Sequence, residues 1–126
     1  MPIWNPSAAD GSGNVLWQDV GVPIDWSNKT VYVAGHHGLV GSALVRALEK
    51  AGAGRVLGWR SSELDLRDRA ATFDAINDAK PDVVIDAAAR VGGIMANSTY
   101  PVDFLQDNLL IQTNVMDAAH QADVDR

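Results

Sequence analysis

The sequence predicts an α/β fold in which parallel strands are covered by helices on both faces. Two observations support this prediction. Short β-branched or apolar runs alternate with longer segments of helical spacing, in the order strand, helix, strand, helix, strand, helix. Three glycines also follow the first run at the spacing Gly-x-x-Gly-x-x-Gly, where a strand would lead into a helix. Such alternation is typical of parallel strands joined by right-handed crossovers.

The first half of this pattern contains two strands and one helix. The first strand is predicted over Thr30–Ala34, a β-branched and aromatic run that ends at a glycine. The helix after it is predicted to reach Ala51, because apolar residues recur at helical spacing and Gly52 stops them. Arg55–Trp59 is predicted as the second strand, although Gly58 weakens it.

The second half contains two helices and one strand. Residues 68–78 are predicted as a helix capped by Asp68, and residues 82–87 as a third strand with the apolar run of a strand covered on both faces. Residues 88–99 are expected to form a loop. A long helix is predicted over residues 101–122, because proline suits its first turn. Its apolar stripe is Leu105, Leu109, Met116 and Ala119.

The chain divides into two predicted regions. Residues 1–28 are rich in Gly and Pro, hold three of the four tryptophans, and are predicted to form a loop or extended leader. The leader either packs a tryptophan on the body or serves as an arm in oligomer contacts, and the first is favoured because termini are usually poorly ordered. Residues 29–126 are predicted as the first half of a Rossmann-type doubly wound sheet. Val124–Arg126 look like the approach to a fourth strand, so we expect a truncated fold from a longer protein.

Composition excludes several classes of function. With 126 residues, 47% of them hydrophobic, the chain can pack one core. The net charge of −6 argues against nucleic-acid binding, because such proteins usually carry a basic surface. Because there is no cysteine and the three histidines are scattered, no disulfide, thiol nucleophile or metal site is expected. No apolar run of 18 residues and no secretory signal is present, so a cytoplasmic protein without a membrane span is expected.

The glycine loop is predicted to bind the pyrophosphate of a dinucleotide. Gly35 permits the tight turn, Gly38 lets the backbone approach a phosphate, and Gly41 lets the helix pack closely on the strand. Free N–H groups of the first helical turn and the helix dipole then favour the anion. The alternative is a purely structural turn. The predicted binding loop is Gly35, His36, His37, Gly38, Leu39, Val40 and Gly41.

The end of the second strand favours NADP(H) over NAD(H). An NAD site usually carries an acid at this position, and here the chain has Arg60, Ser61 and Ser62 instead. Arginine can pair with a 2′-phosphate, and the hydroxyls can donate to it. His37 is a further candidate donor. The alternatives are a solvated surface arginine and an exposed loop histidine.

Two further segments are predicted to contact the cofactor. Asp65 is placed to accept from the exocyclic amine of an adenine while Leu66 packs on the ring, and the alternative is a simple turn before the Asp68 cap. Small residues at the end of the third strand would let a cofactor pass close to the backbone at the carboxyl edge of the sheet, and the alternative is tight core packing. These small residues are Ala87, Ala88 and Ala89.

Four segments of the chain together form a recognisable pattern. They are residues 33–43, residues 63–66, residues 87–94 with Ala96, Asn97, Tyr100 and Pro101, and residues 103–120. These segments resemble the N-terminal part of the GDP-L-fucose synthase family, within the extended short-chain dehydrogenases/reductases. The glycine loop is shared by the wider family, whereas the Val-Gly-Gly-Ile and Asn-x-x-Tyr-Pro stretch is much closer to this branch. The resemblance covers about residues 27–126.

The resemblance implies an NADPH-dependent enzyme that epimerises GDP-4-keto-6-deoxy-mannose at two carbons and reduces it to GDP-L-fucose. It also implies a homodimer in the full-length protein, with the long helix as the dimer helix. The family's proton donor is a Tyr of a Tyr-x-x-x-Lys pair assisted by a Ser, and its epimerisation acid and base are a Cys and a His. Tyr32 and Tyr100 are followed four residues later by His36 and Phe104, and cysteine is absent. We therefore expect no catalytic residue and no turnover in this chain alone.

The same resemblance suggests a substrate side and leaves alternatives open. Asn108 matches a helix position that helps to order the active site in the family, and the alternative is an exposed helix residue. His37 is commonly Arg in relatives, which weakens the preference for NADP(H). The alternative functions are another nucleotide-sugar epimerase or dehydratase, or a non-catalytic cofactor-binding fragment. The substrate-side candidates are Gly92, Gly93, Asn97, Tyr100 and Asn108.

Overall fold

The computed structural model describes residues 24–126, and there the predicted α/β order of strands and helices is confirmed. Residues 1–23, with Trp4 and Trp17 of the predicted leader, lie outside the described residues. None of the helices in the described part combines the length and apolar character needed to cross a membrane. The elements are β1 (Thr30–Ala34), α1 (Leu39–Lys50), β2 (Arg55–Leu57), α2 (Arg69–Ala79), β3 (Val83–Asp86), α3 (Ile94–Thr99) and α4 (Pro101–Gln121).

The three described strands form one parallel sheet in the order β2-β1-β3. The chain moves from β1 to β2 in one direction and then returns past β1 to β3. The two crossovers, through α1 and α2, therefore diverge on either side of β1. In open α/β sheets, ligands bind at the carboxyl ends of the strands where the winding direction changes. That point lies between the ends of β1 and β3.

β1 is buried on both faces and joins two hydrophobic layers. Val31 and Val33 face α1, where they pack with Leu48, Val83 and the partly buried Trp26. The alternate residues of β1 face α2 and α4. Burial on both faces is the physical reason for the uninterrupted apolar run of this strand. The residues buried on the second face are Tyr32, Ala34, Ile76 and Ala118.

Three predictions about these segments are wrong. β3, predicted over residues 82–87, is one residue shorter at each end. β2 ends at Leu57 rather than Trp59, because the backbone at Gly58 lies against the His36 ring: a Cβ on Gly58 would be 2.2 Å from His36 Cγ. The segment 88–99, expected to be a loop, contains the short helix α3 after Gly93. Six residues preceded by two glycines are too few to show helical periodicity.

α4 begins at Pro101 as predicted, but its predicted apolar stripe does not face the sheet. Leu105, Leu109 and Met116 are 61%, 52% and 61% exposed. The buried face carries Val115 and Ala118 together with a polar residue, Asn114. The Asn114 side chain is satisfied because its Nδ2 donates to the Leu66 and Arg67 carbonyls at 2.9 and 3.1 Å.

The last described residues lie beside β3. The Val84 N–H donates to the Arg126 carbonyl at 2.7 Å, on the edge of β3 that does not pair with β1. Val124 packs against the second hydrophobic layer. The segment predicted to approach a fourth strand therefore lies along the free edge of the sheet.

Candidate functional site

An open cleft of about 860 Å³ lies at the carboxyl ends of β1 and β3. Two walls flank the glycine loop there. The first wall is the turn after β2, residues 59–67, and the second wall is the segment after β3, residues 87–90. The predicted cofactor residues that line the cleft are Gly35, His36, His37, Gly38, Arg60, Ser61, Ser62, Asp65, Leu66, Ala87, Ala88 and Ala89.

Some predicted residues lie outside this lining. Leu39 and Val40 begin α1 and are 91% and 62% exposed, whereas Gly41 is buried beneath the loop. The structure does not bring the five substrate-side candidates into the cleft, so their role stays a prediction. Gly93 caps α3, and Asn108 contacts the backbone of the second wall. The five candidates are Gly92, Gly93, Asn97, Tyr100 and Asn108.

Two glycines allow the loop between β1 and α1 to be tight. Gly35 has a φ of +73°, and a Cβ there would lie 2.6 Å from the Ala87 carbonyl oxygen. A Cβ on Gly41 would lie 2.0 Å from the Gly35 carbonyl oxygen. Real Cβ atoms do not approach backbone this closely, so a side chain at either position would displace the loop. The first residues of the loop are therefore held against the second wall and against α1.

The N-terminus of α1 is suited to an anion. Its N-cap, Gly38, lines the cleft and provides no side-chain cap, and the first turn carries no acidic residue. N–H groups of a first helical turn have no acceptor within the helix. Together with the positive end of the helix dipole, they form a site that favours phosphate.

The first wall presents the positive charge of Arg60 to the cleft. Glu63 Oε2 accepts from the Arg60 backbone N–H at 2.7 Å, and the Glu63 and Leu64 N–H groups donate to the Arg60 carbonyl, which closes the turn. Among residues 24–126, no carboxylate pairs with the Arg60 guanidinium. Ser61 and Ser62 are exposed beside it. This part of the wall combines a cation with two hydroxyl groups.

Asp65, predicted to accept from an adenine amine, already accepts from Arg67. Arg67 donates its backbone N–H and Nε to Asp65 Oδ1 at 3.0 and 2.9 Å, and Nη2 to Oδ2 at 2.8 Å. The side-chain hydrogen bonds from Arg67, and then its backbone N–H, hold the pKa of Asp65 below its ordinary value. The carboxylate is therefore ionised and oriented, and Oδ2 accepts from a single described donor.

Several lining residues were not predicted from the sequence. Arg67 and Arg90 extend the two walls, and Asp107 and Ile111 come from α4. The four-residue spacing of Asp107 and Ile111 places them on one helix face. However, the sequence carries no signal that this face meets the cleft. The complete set of missed residues is Trp59, Leu64, Arg67, Arg90, Asp107 and Ile111.

His36 is a packing residue of the loop rather than an exposed donor. Its Nδ1 is buried and has no hydrogen-bond partner in the described part of the chain, and its ring centroid lies 4.1 Å from that of His37. Burial, reinforced by the charge of His37, lowers the pKa of His36 below its ordinary value. The imidazole is therefore neutral at neutral pH.

We expect His36 to make folding stability depend on pH. Unfolded histidine titrates near pH 6.5, and the folded pKa is lower, so the unfolded state binds the proton first. The stabilisation is present above about pH 6.5 and is lost as the pH falls through the folded value. Urea unfolding between pH 7 and 5, with NMR titration of the His36 ring, checks this. A folded His36 that titrates at or above the free value contradicts it.

Comparison with known proteins identifies similar sequences. Residues 31–126 match the NAD dependent epimerase/dehydratase family. The chain is 45% identical over 100 residues to the GDP-L-fucose synthase of Escherichia coli, covering 79% of this chain and 31% of that protein. It is 50% identical over 91 residues to GDP-L-fucose synthase 1 of Arabidopsis thaliana, covering 72% of this chain and 28% of that protein. The chain thus spans less than a third of either relative.

Solved structures have a similar fold over most of this chain. A GDP-mannoheptose C4 reductase of Campylobacter jejuni with NADP bound is 35% identical, with a TM-score of 0.73 over 78% of this chain and 31% of that one. A GDP-L-fucose synthetase of Naegleria fowleri bound to NADP is 29% identical, with a TM-score of 0.68 over 78% of this chain and 30% of that one.

Proposed function

Because the chain belongs to the NAD dependent epimerase/dehydratase family, we propose that its cleft binds NADP(H) as the cofactor-binding part of a GDP-L-fucose synthase. The observation that carries the proposal is the presence, in one cleft, of an α1 N-terminus suited to phosphate and an Arg60 guanidinium that no carboxylate of residues 24–126 pairs with. The curated relatives with GDP-L-fucose synthase names and the NADP-bound neighbours support the same choice.

The diphosphate is proposed to sit on the glycine loop. Gly38 lines the cleft and has no side chain, so a phosphate can approach its backbone closely. Leu39 and Val40 contribute backbone N–H groups of the first turn, and their exposed side chains can flank the cofactor. Gly41 supports the loop from below without touching the cleft.

The first wall is proposed to select the phosphorylated adenosine. Arg60 would pair with the 2′-phosphate through charge-assisted hydrogen bonds, which are about twice as strong as neutral ones. The Ser61 and Ser62 hydroxyls would donate to the same group, and the exposed His37, which also lines the cleft, is proposed as a further donor on that side. Asp65 and Leu66 would meet the adenine, with Asp65 oriented by Arg67.

The second wall is proposed to carry the cofactor towards its reactive end. Ala87, Ala88 and Ala89 have short side chains that let a ligand lie close to the backbone. When bound, the nicotinamide supplies the hydride for ketone reduction. Beyond this wall, the substrate-side candidates would face the nucleotide sugar. No Tyr-x-x-x-Lys pair and no cysteine occurs in these 126 residues, so we propose that the chain alone binds cofactor without turnover.

A second candidate substrate is another 4-keto GDP-sugar. The neighbour named as a GDP-mannoheptose C4 reductase is 35% identical to this chain, and its name describes reduction at the same sugar carbon. The cofactor part of the proposal is the same for both candidates. The two are distinguished by which GDP-sugar supports turnover in the protein that carries the catalytic pair.

A homodimer through α4 is proposed for the full-length protein. The outer face of α4 leaves Leu105, Leu109 and Met116 exposed, which is costly for a monomer and usual for a buried interface. A second copy packing there would bury these side chains. A cytoplasmic location is also proposed.

Fluorescence titration of the 126-residue chain tests the cofactor proposal. We expect saturable NADPH binding that is at least about tenfold tighter than NADH binding, because one charge-assisted phosphate site is worth on the order of 1.5–3 kcal/mol. We also expect no NADPH consumption when GDP-4-keto-6-deoxy-mannose is added. Equal affinities for the two cofactors, or no binding of either, would overturn the proposal for the cleft. Measurable turnover would overturn the proposal of an inactive chain.

A further inference from the structure

One residue of α4, Asp107, contacts both walls of the cleft. Its carboxylate Oδ2 accepts from Arg67 Nη1 of the first wall at 3.3 Å and from Arg90 Nη1 of the second wall at 2.5 Å. The side chain is only 15% exposed. The hydrogen bond from Arg90, with the positive charge of Arg67, holds the pKa of Asp107 below its ordinary value. Asp107 is therefore a partly shielded anion between two cations that lie on opposite walls.

The second wall is held by a cluster of contacts with α4. Asn108 brackets the Arg90 backbone: Oδ1 accepts from the Arg90 N–H at 2.7 Å, and Nδ2 donates to the Arg90 carbonyl at 3.0 Å. The Arg90 guanidinium lies 4.7 Å above the centre of the Phe104 ring. Phe104, Asp107 and Asn108 share one face of the helix, so Arg90 is held through both its backbone and its side chain.

The first wall is held by the same helix about two turns later. Asn114 Nδ2 donates to the Leu66 and Arg67 carbonyls. The Arg67 side chain reaches from Asp65 to Asp107, which makes an alternating chain of charges across the cleft: Asp65, Arg67, Asp107 and Arg90. Alternating charges of this kind stabilise one another more than isolated surface pairs do.

We propose that Asp107 is a positioning residue that sets the separation of the two walls, and this rests on the proposal that a dinucleotide occupies the cleft. A dinucleotide contacts the first wall with its adenosine end and the second wall with its other end, so its affinity depends on the distance between the walls. Losing the carboxylate leaves two guanidinium groups facing each other, and their repulsion moves the walls apart. The ligand class is the extended dinucleotide as a whole rather than either of its ends.

A matched control exists on the same helix. Asp117 pairs with Arg69 Nη1 of α2 at 2.9 Å, but its side chain is 49% exposed and neither residue lines the cleft. Asp107→Asn and Asp117→Asn therefore remove the same charge from the same helix. The first variant loses ion pairs with two arginines, one on each wall, and the second loses one ion pair. Only the first change affects contacts between the walls.

Two measurements on the full chain test the proposal. In NADPH titrations, we expect Asp107→Asn to raise the Kd by about 3- to 10-fold, and Asp117→Asn to change it by less than about twofold. In amide hydrogen exchange without cofactor, we expect Asp107→Asn to speed exchange in residues 65–68 and in residues 88–92, and Asp117→Asn to speed neither. Asp107→Glu, which keeps the charge, is expected to change both the Kd and the exchange rates less than Asp107→Asn does.

The outcomes separate the two proposals. Unchanged exchange at both walls in Asp107→Asn overturns the positioning role, whatever NADPH does. A wild-type chain that binds no NADPH overturns the proposed function, while hydrogen exchange still decides whether Asp107 couples the walls. Should Asp107→Asn fail to fold, Arg90→Gln serves instead: faster exchange that extends from residues 88–92 to residues 65–68 supports the coupling, and unchanged exchange in residues 65–68 overturns it.

Discussion

Replacing Arg60 with alanine is expected to raise the Kd for NADPH by about ten- to a hundredfold while the Kd for NADH changes by less than about twofold. The guanidinium lines the cleft and, among the described residues, has no carboxylate to neutralise it. A 2′-phosphate carries a charge that NADH lacks, so the lost hydrogen bonds affect only the phosphorylated cofactor. Fluorescence titration with both cofactors measures the change in preference.

The matched control is Arg55→Ala. Arg55 is exposed at the start of β2, at the opposite end of the strand from Arg60. Its replacement by alanine removes the same charge, but Arg55 does not line the cleft. We expect it to leave the ratio of the two affinities unchanged at a given salt concentration. An equal loss of NADPH and NADH affinity in Arg60→Ala would show that the arginine supports the wall and does not read the phosphate.

Replacing Gly41 with alanine is expected to lower the free energy of unfolding by about 3 kcal/mol, with a fall in Tm of roughly 10 °C. The added Cβ would lie 2.0 Å from the Gly35 carbonyl oxygen and 2.7 Å from the Gly35 carbonyl carbon. Both atoms are backbone, so relief requires α1 to move away from β1. We expect NADPH binding to be lost with the loop geometry. Thermal melts and titrations of the purified chain check both effects.

Gly93→Ala is the control for this prediction. A Cβ on Gly93 would meet nothing within 4 Å, and its φ of −65° is ordinary for alanine. We expect its Tm to stay within about 2 °C of the wild-type value, because surface substitutions without strain are usually worth under about 0.5 kcal/mol. A Gly41→Ala chain that melts at the wild-type temperature would contradict the close packing of α1 on the loop.

Local chemistry made much of the fold predictable. Asp68 caps α2 as expected, since its side chain accepts from the Ala71 N–H at 3.1 Å, and Pro101 begins α4. The strand Thr30–Ala34 has the predicted bounds. Caps, prolines and apolar runs act over a few residues, so the sequence displays them directly. α3 was not predicted because its six residues make fewer than two turns and leave no periodic signal.

The candidate site, like the fold, could be predicted from the sequence only in part. The glycine loop follows β1, Arg60 and its two serines follow β2, and three alanines follow β3. Because parallel strands bring their carboxyl ends to one edge of the sheet, these segments could be expected to meet there. Arg67 and Asp107 could not be found this way. Each is an ordinary charged residue in its own segment, and their 3.3 Å contact depends on the rotation of α4 about its axis.

The alternation of strands and helices, the tight glycine loop and the residue types around it can all be predicted from the amino-acid sequence, because they depend on contacts within a few residues along the chain. Three features depend instead on long-range packing: the pairing of β3 with β1, the rotation of α4 that buries Asn114 and exposes its leucines, and the contact of Asp107 with both walls. Such choices depend on the sum of many weak contacts between segments far apart in the chain, and no single segment carries that sum.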